Sequence, residues 1–187
     1  MQLRHPNVLL TMGIALDKAD QTTGIVMEYM QASLFDVIYE PTFAPYRSWD
    51  SAYFAIAADV AKGMSFIHFN GLLHRDLKPG NVLLDAQWVA KVADFGNALD
   101  DTNVDVTEIA GTPPYMAPEI ITQHKYDRPV DVWAFGCIIA HMASGHIPYG
   151  QLNLTDRQQM LNVIKSGECS PLELLFTTAD MPTVIIN

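Results

Sequence analysis

His74-Arg75-Asp76-Leu77-Lys78-Pro79-Gly80-Asn81, followed at a short interval by Asp94-Phe95-Gly96, is the stretch from which the rest of the chain can be read. It sets a carboxylate, Asp76, two residues before an ammonium group, Lys78, and adds an amide oxygen at Asn81 and a second carboxylate at Asp94. Transfer of a phosphoryl group asks for such a set. It needs a carboxylate to take a proton from an attacking hydroxyl, a cation beside the moving group and hard oxygen ligands for a divalent ion. Two more blocks follow: Gly111-Thr112-Pro113-Pro114-Tyr115-Met116-Ala117-Pro118-Glu119 and Asp131-Val132-Trp133-Ala134-Phe135-Gly136. Asp-Phe-Gly alone is a weak signal, since a given tripeptide arises by chance about once in several thousand positions. Four blocks in a fixed order are a strong one.

In that order the blocks resemble the catalytic loop, the D-F-G motif, the segment ending in A-P-E and the following helix opening of the eukaryotic protein kinases. The resemblance implies an α+β fold of protein-kinase type, mainly the helical C-lobe preceded by N-lobe strands and a hinge. By the same resemblance Asp76 is the base, Lys78 the cation on the γ-phosphate, and Asn81 and Asp94 the ligands of Mg²⁺. ATP is then the phosphoryl donor and a protein Ser/Thr hydroxyl the acceptor. Lys78 after Asp-Leu, with Thr112 in the Gly-Thr-Pro block, resembles serine/threonine kinases and not tyrosine kinases. Leu9-Leu10-Thr11-Met12-Gly13 and Gly71-Leu72-Leu73-His74-Arg75-Asp76 resemble the Raf-like, mixed-lineage-like branch.

Working outward toward the N-terminus, Leu3-Arg4-His5-Pro6-Asn7-Val8 resembles the kinase connection into the fourth N-lobe strand, and Val8 to Met12 reads as that strand. The chain therefore begins within the family domain, and the glycine-rich loop and phosphate-gripping lysine of the family find no counterpart. Lys18 lies in a polar turn and reads as a solvated charge. Gly24 to Met30 is a short apolar run, consistent with a buried strand entering a linker. Its family counterpart is the hinge. There Met27 backs the adenine pocket, while the C=O of Glu28 and the N–H of Met30 meet the adenine edge. Ser33-Leu34-Phe35-Asp36 reads as a capping box opening a short helix; Ser33 either caps alone or also touches the ribose.

Ser48 to Phe69 places Tyr53, Ile56, Ala57, Val60, Met64 and Ile67 at helical spacing, closed by Asn70-Gly71. Asn81 to Asp85 and Trp88 to Val92 read as two strands about a turn, which brings Asn81 and Asp94 to one end. Leu83 is core by its type and the adenine floor by resemblance. His74 in the family packs on the D-F-G phenylalanine, here Phe95, which Gly96 follows, and Asp131 accepts backbone N–H groups of the catalytic loop; both are structural roles.

Residues 94 to 119 form the activation segment of the resemblance. Arg75 is the residue that receives a phosphate there in many kinases, with Thr102 and Thr107 as acceptors, unless Asp105 already pairs with it. Glu119 pairs in the family with an arginine from a later region that finds no match here. Pro129 to Ser144 is apolar around almost its whole circumference and so is expected to be buried on all sides, with Gly145 closing it. Thr155-Asp156-Arg157-Gln158 reads as a capping box for a helix with Met160, Leu161 and Ile164 on one face, ended by Gly167.

The domain expectation is a partial kinase domain over residues 1–167, with an N-lobe remnant and hinge at 1–30, a C-lobe at 31–167 and a divergent tail at 168–187. That tail either covers the exposed part of the central apolar helix or is an aggregation hazard. The functional expectation is a serine/threonine protein kinase whose isolated chain is a truncated fragment with little activity. The alternative is an inactive kinase-like binding or scaffold module. At 187 residues, 49% hydrophobic, the chain can bury one sizeable core. A net charge of −10 argues against nucleic acid and anionic membrane surfaces as partners. Cys137 and Cys169 lack disulfide-framework or zinc spacing, no apolar run reaches membrane-spanning length, and a cytoplasmic location is the reading that results. Oligomeric state is left open.

Overall fold

The computed structural model describes residues 4–17, 23–100, 109–122 and 126–172. The chain opens with β1 (Thr11–Leu16) and β2 (Thr23–Met27), an antiparallel two-stranded sheet. Val8 is not part of a strand, contrary to the expected Val8 to Met12. Leu9 N–H donates to Val92 C=O and Val92 N–H to Asn7 C=O, so this segment is held by a later hairpin and strand pairing starts only at Thr11. Nor is β2 buried. All its residues are exposed, and Ile14 on β1 is 75% exposed, because the two strands pair only with each other among the described residues.

β3 (Ala32–Ser33) leads directly into α1 (Leu34–Tyr39). Ser33 Oγ accepts from the Asp36 N–H while the Asp36 carboxylate accepts from the Ser33 N–H, the reciprocal box that satisfies two orphan donors. α2 spans Phe54–Phe69, shorter than the Ser48 to Phe69 expected. Trp49–Tyr53 forms a wide turn in which Ser51 leaves helical geometry (φ −113°, ψ −108°), so the regular hydrogen-bond ladder starts only beyond it. The helix buries Ile56, Val60, Met64 and Ile67, three to four residues apart, and ends at Asn70 with Gly71 at φ 73°. Gly63 on this helix has no substitute. A Cβ there would stand 2.3 Å from the Asn7 carbonyl oxygen, so the absence of a side chain is what lets the Asn7 segment lie on α2.

β4 (Leu72–Leu73) carries the chain into the His74 to Asn81 loop. β5 (Val82–Leu84) and β6 (Ala90–Val92) form an antiparallel hairpin, with β3 along the other edge of β5. β7 (Leu99–Asp100) pairs with β4. α3 (Pro118–Thr122), α4 (Pro129–Ser144) and α5 (Arg157–Ser166) complete the described chain. α5 is capped by Asp156, which accepts from the Gln159 N–H, one residue later than the box expected at Thr155; Gly167 closes it at φ 67°.

The main core joins α1, α2, α4 and the β5–β6 hairpin through Leu34, Val37, Ile56, Val60, Val82, Val92 and Ile138. A second cluster, Leu73, Met116, Ala117, Ile120, Val130 and Leu161, pins the segment after Gly111 against α4 and α5. α4 has the expected limits but is not buried all round: Val132 is 62% exposed, and Gly136 lies open one turn on. An open groove of about 490 Å³ runs between α2 and α4, lined by Met64, His68, Phe69, Val132 and Phe135, where no described element packs. No helix among the described residues is long and apolar enough to cross a membrane.

Candidate active site

The site grows from one buried carboxylate beneath it. Asp131, in the first turn of α4, accepts the backbone N–H groups of both His74 and Arg75 at 2.9 Å and meets His68 Nε2 at 2.8 Å. Burial alone would raise the Asp131 carboxyl. The His68 hydrogen bond and the two backbone N–H groups outweigh it and hold the group below its ordinary value. Two consecutive N–H groups can face one carboxylate because Arg75 adopts a left-handed φ of 64°. For a residue with a Cβ that costs roughly 1–2 kcal/mol, which Asp131 offsets. The contact gives His68, on α2, a specific structural role beneath the loop.

The turn that results presents Asp76. Its Oδ1 accepts from Thr112 Oγ1 at 2.7 Å, and its Oδ2 accepts from Lys78 Nζ at 2.9 Å. Lys78 Nζ also donates to Thr112 Oγ1 at 2.9 Å, closing a triangle across 36 residues of sequence. Thr112 can reach it because Gly111, at φ 111°, lets the chain pass over Arg75. A Cβ on Gly111 would stand 2.6 Å from the Arg75 carbonyl oxygen. Asn81 Nδ2 donates to the Asp76 carbonyl at 2.8 Å and more weakly to Oδ2 at 3.3 Å, and the amide oxygen accepts no hydrogen bond among the described residues, so it can ligate a cation.

Asn81 and Asp94 flank the open end of the β5–β6 hairpin: Val82 faces Val92, and Ala93 N–H donates to Asn81 C=O at 2.8 Å. Asp94 is solvent-exposed at φ 63°, with Oδ1 accepting from Gly96 N–H at 3.3 Å. An exposed carboxylate and an amide oxygen, carried by residues at one end of a hairpin, are the kind of oxygen ligands that suit a hard ion keeping water and phosphate in its other positions, as Mg²⁺ does. His74 is fully buried, donates its Nε2–H to the Ala93 carbonyl at 2.9 Å, and its ring lies 5.3 Å from that of Phe95.

Arg75 donates from Nε to the Asn97 carbonyl at 2.6 Å and from a terminal nitrogen to Tyr126 Oη at 3.1 Å. Thr102, Thr107 and Asp105 lie outside the described residues. Glu119 sits half-buried in the first turn of α3 and forms no ion pair among the described residues.

Of the residues that the resemblance puts around adenine, Met27 ends β2 and is half exposed, Met30 is partly buried, and Leu83 faces Ser33 across β5–β3. The Glu28 N–H donates to the Leu10 carbonyl, and the Glu28 side chain does something the sequence did not announce. It accepts from Leu10 N–H at 2.8 Å and from Lys91 Nζ at 2.5 Å, tying the hinge segment to β6. Glu28 and Lys91 are 63 residues apart and carry no shared motif, so no local signal could have paired them.

Measured against known families, residues 1–179 match the model described as "Protein kinase domain", and the chain belongs to the protein kinase family. It is 34% identical over 154 residues, 81% of the chain, to a probable serine/threonine-protein kinase of Dictyostelium discoideum. It is 35% identical over 175 residues, 89% of the chain, to the serine/threonine-protein kinase STY46 of Arabidopsis thaliana. It is 34% identical over 167 residues, 88% of the chain, to the serine/threonine-protein kinase STE20 of Candida glabrata. The chain spans only 16%, 28% and 17% of those relatives' own lengths, respectively.

Proposed function

We propose that these residues are the phosphoryl-transfer centre of a serine/threonine protein kinase that uses ATP and Mg²⁺. The observation that carries the reading is the Asp76–Lys78–Thr112 triangle set beside the Asn81–Asp94 hairpin end. Mg²⁺–ATP, when bound, supplies the phosphoryl group and the cation that offsets its charge. Asp76 orients the acceptor hydroxyl and takes its proton. Lys78, held between Asp76 and Thr112, places one ammonium where negative charge develops. Asn81 and Asp94 would hold the metal through an amide oxygen and a carboxylate oxygen. Glu28 to Met30, Ser33 and Leu83 are the adenine and ribose side of the cleft, and Arg75 with Thr102 and Thr107 is the phosphate-sensing arm. Protein substrates carrying a Ser or Thr acceptor follow from the same reading, as does the Raf-like, mixed-lineage-like branch. A reducing, cytoplasmic setting suits a buried Cys137 whose thiol burial pushes up to about 12.

The test is to titrate Mg²⁺–ATP into isotope-labelled 187-residue chain and to assay transfer to a generic protein substrate in the longest available reading frame. Shifts confined to the Asn81 and Asp94 region, with transfer lowered roughly 10²–10⁴-fold by Asp76→Asn, are the expected result. Binding without any transfer in the longer protein points instead to a binding module. No shift at Asn81 or Asp94 at millimolar Mg²⁺–ATP overturns the reading.

A further inference from the structure

His141 lies on α4, 0% exposed, and neither ring nitrogen is idle. Its Nε2 stands 2.8 Å from Tyr39 Oη and its Nδ1 2.8 Å from Tyr115 Oη. The two tyrosines come from elements with different tasks. Tyr39 is the last residue of α1, the helix whose other end is the Ser33 cap. Tyr115 closes the short turn Pro113–Tyr115, where its own N–H returns to the Thr112 carbonyl and the Met116 N–H to the Pro113 carbonyl. Thr112, in turn, donates to Asp76 and accepts from Lys78. A continuous line of hydrogen-bonded groups therefore runs from α1 through His141 to the site carboxylate.

A neutral imidazole has one N–H and one lone pair. Bridging two hydroxyls, it gives one tyrosine a donor and takes a hydrogen bond from the other, so the tautomer and both hydroxyl orientations are set together. We infer that His141 is a positioning residue that couples the placement of α1 to the Thr112–Met116 segment, and through Thr112 to Asp76. This rests on the kinase reading for its purpose, while the coupling itself rests on geometry alone. The ring stays neutral because burial, with His146 nearby, lowers its pKa to about 4. Among the described residues, the titratable groups that meet it are Tyr39 from α1, Tyr115 from the Pro113 turn and His146 just past the end of α4.

The experiment is amide hydrogen exchange and imidazole ¹⁵N NMR on the 187-residue chain carrying Tyr39→Phe, Tyr115→Phe, both together, and His141→Gln. Tyr39→Phe should speed exchange of the Tyr115 and Met116 amides up to about tenfold, although Tyr39 bonds to neither. It should also move the Thr112 methyl resonance and change the balance of the two His141 tautomers from that of the native chain. The double variant should exchange no faster than Tyr115→Phe alone. A merely structural histidine would give effects of the two tyrosines that add, with the Thr112 signal unmoved by Tyr39→Phe, and either outcome overturns the inference. The two tyrosine variants carry the test even if His141→Gln does not fold. No readout involves nucleotide or turnover, so failure of the kinase reading and failure of the coupling appear in different experiments.

Discussion

At the scale of single residues, the site is built from positions that would be unfavourable anywhere else. Arg75 and Asp94 hold left-handed backbone, and His74, Asp76, Asn81, Asp131 and His141 are polar groups buried with partners. Gly111 is doubly constrained, by its backbone angle and by its neighbour. Gly111→Ala combines a φ of 111° with a Cβ 2.6 Å from the Arg75 oxygen, and we expect it to destabilise the chain by about 2 kcal/mol or more, read from the urea midpoint. His141 gives a pH signature. Its pKa in the folded chain is near 4 against an ordinary 6.5, so the unfolded chain binds a proton that the folded chain refuses between those values. Its contribution is therefore complete above pH 6.5 and lost as pH falls toward 4, a change on the order of 3 kcal/mol. Urea unfolding at pH 7 and pH 5 should show a steeper loss for the native chain than for His141→Gln.

At the scale of elements, helix ends matter because they hold the loops between them. Ser33→Ala removes the acceptor of the Asp36 N–H and should cost about 1 kcal/mol, and Asp156→Ala about as much at α5; thermal unfolding measures both. The attachment of α4 to the catalytic loop is worth more. Asp131→Ala leaves the His74 and Arg75 N–H groups and His68 without their acceptor, and a loss of about 3 kcal/mol or more is expected from calorimetry. Asp131→Asn, which keeps one oxygen acceptor, should lose less. If Asp131→Ala were as stable as the native chain, Asp131 would not be what holds the loop.

At the scale of the whole molecule, two cores share the load: one under α2 and α4, the other beneath the segment that carries Thr112. Ile138→Ala, at the fully buried centre of the first, should cost about 2–5 kcal/mol in urea unfolding. The exposed apolar positions of β1, β2 and α4 show where the burial ends: Met12, Ile14, Ile25 and Val132 face outward from elements whose neighbours on that side are absent among the described residues.

What the sequence determined by itself was everything carried by short-range chemistry. The order of the four blocks, the Ser33 box, the Asn70-Gly71 and Gly145 stops and the hairpin that flanks Asn81 and Asp94 all depend on residues a few positions apart, and such signals survive in the linear chain. Apolar spacing also located α2 and α4. It could not say that β2 and one side of α4 lie open, because periodicity reports which residues share a face and not what covers that face. Only the tertiary structure paired Glu28 with Lys91, Arg75 with Tyr126 and His141 with its two tyrosines. Those contacts join residues 26 to 102 positions apart, and their partners are chosen by how helices and hairpins pack, a choice that no local stretch of residues contains.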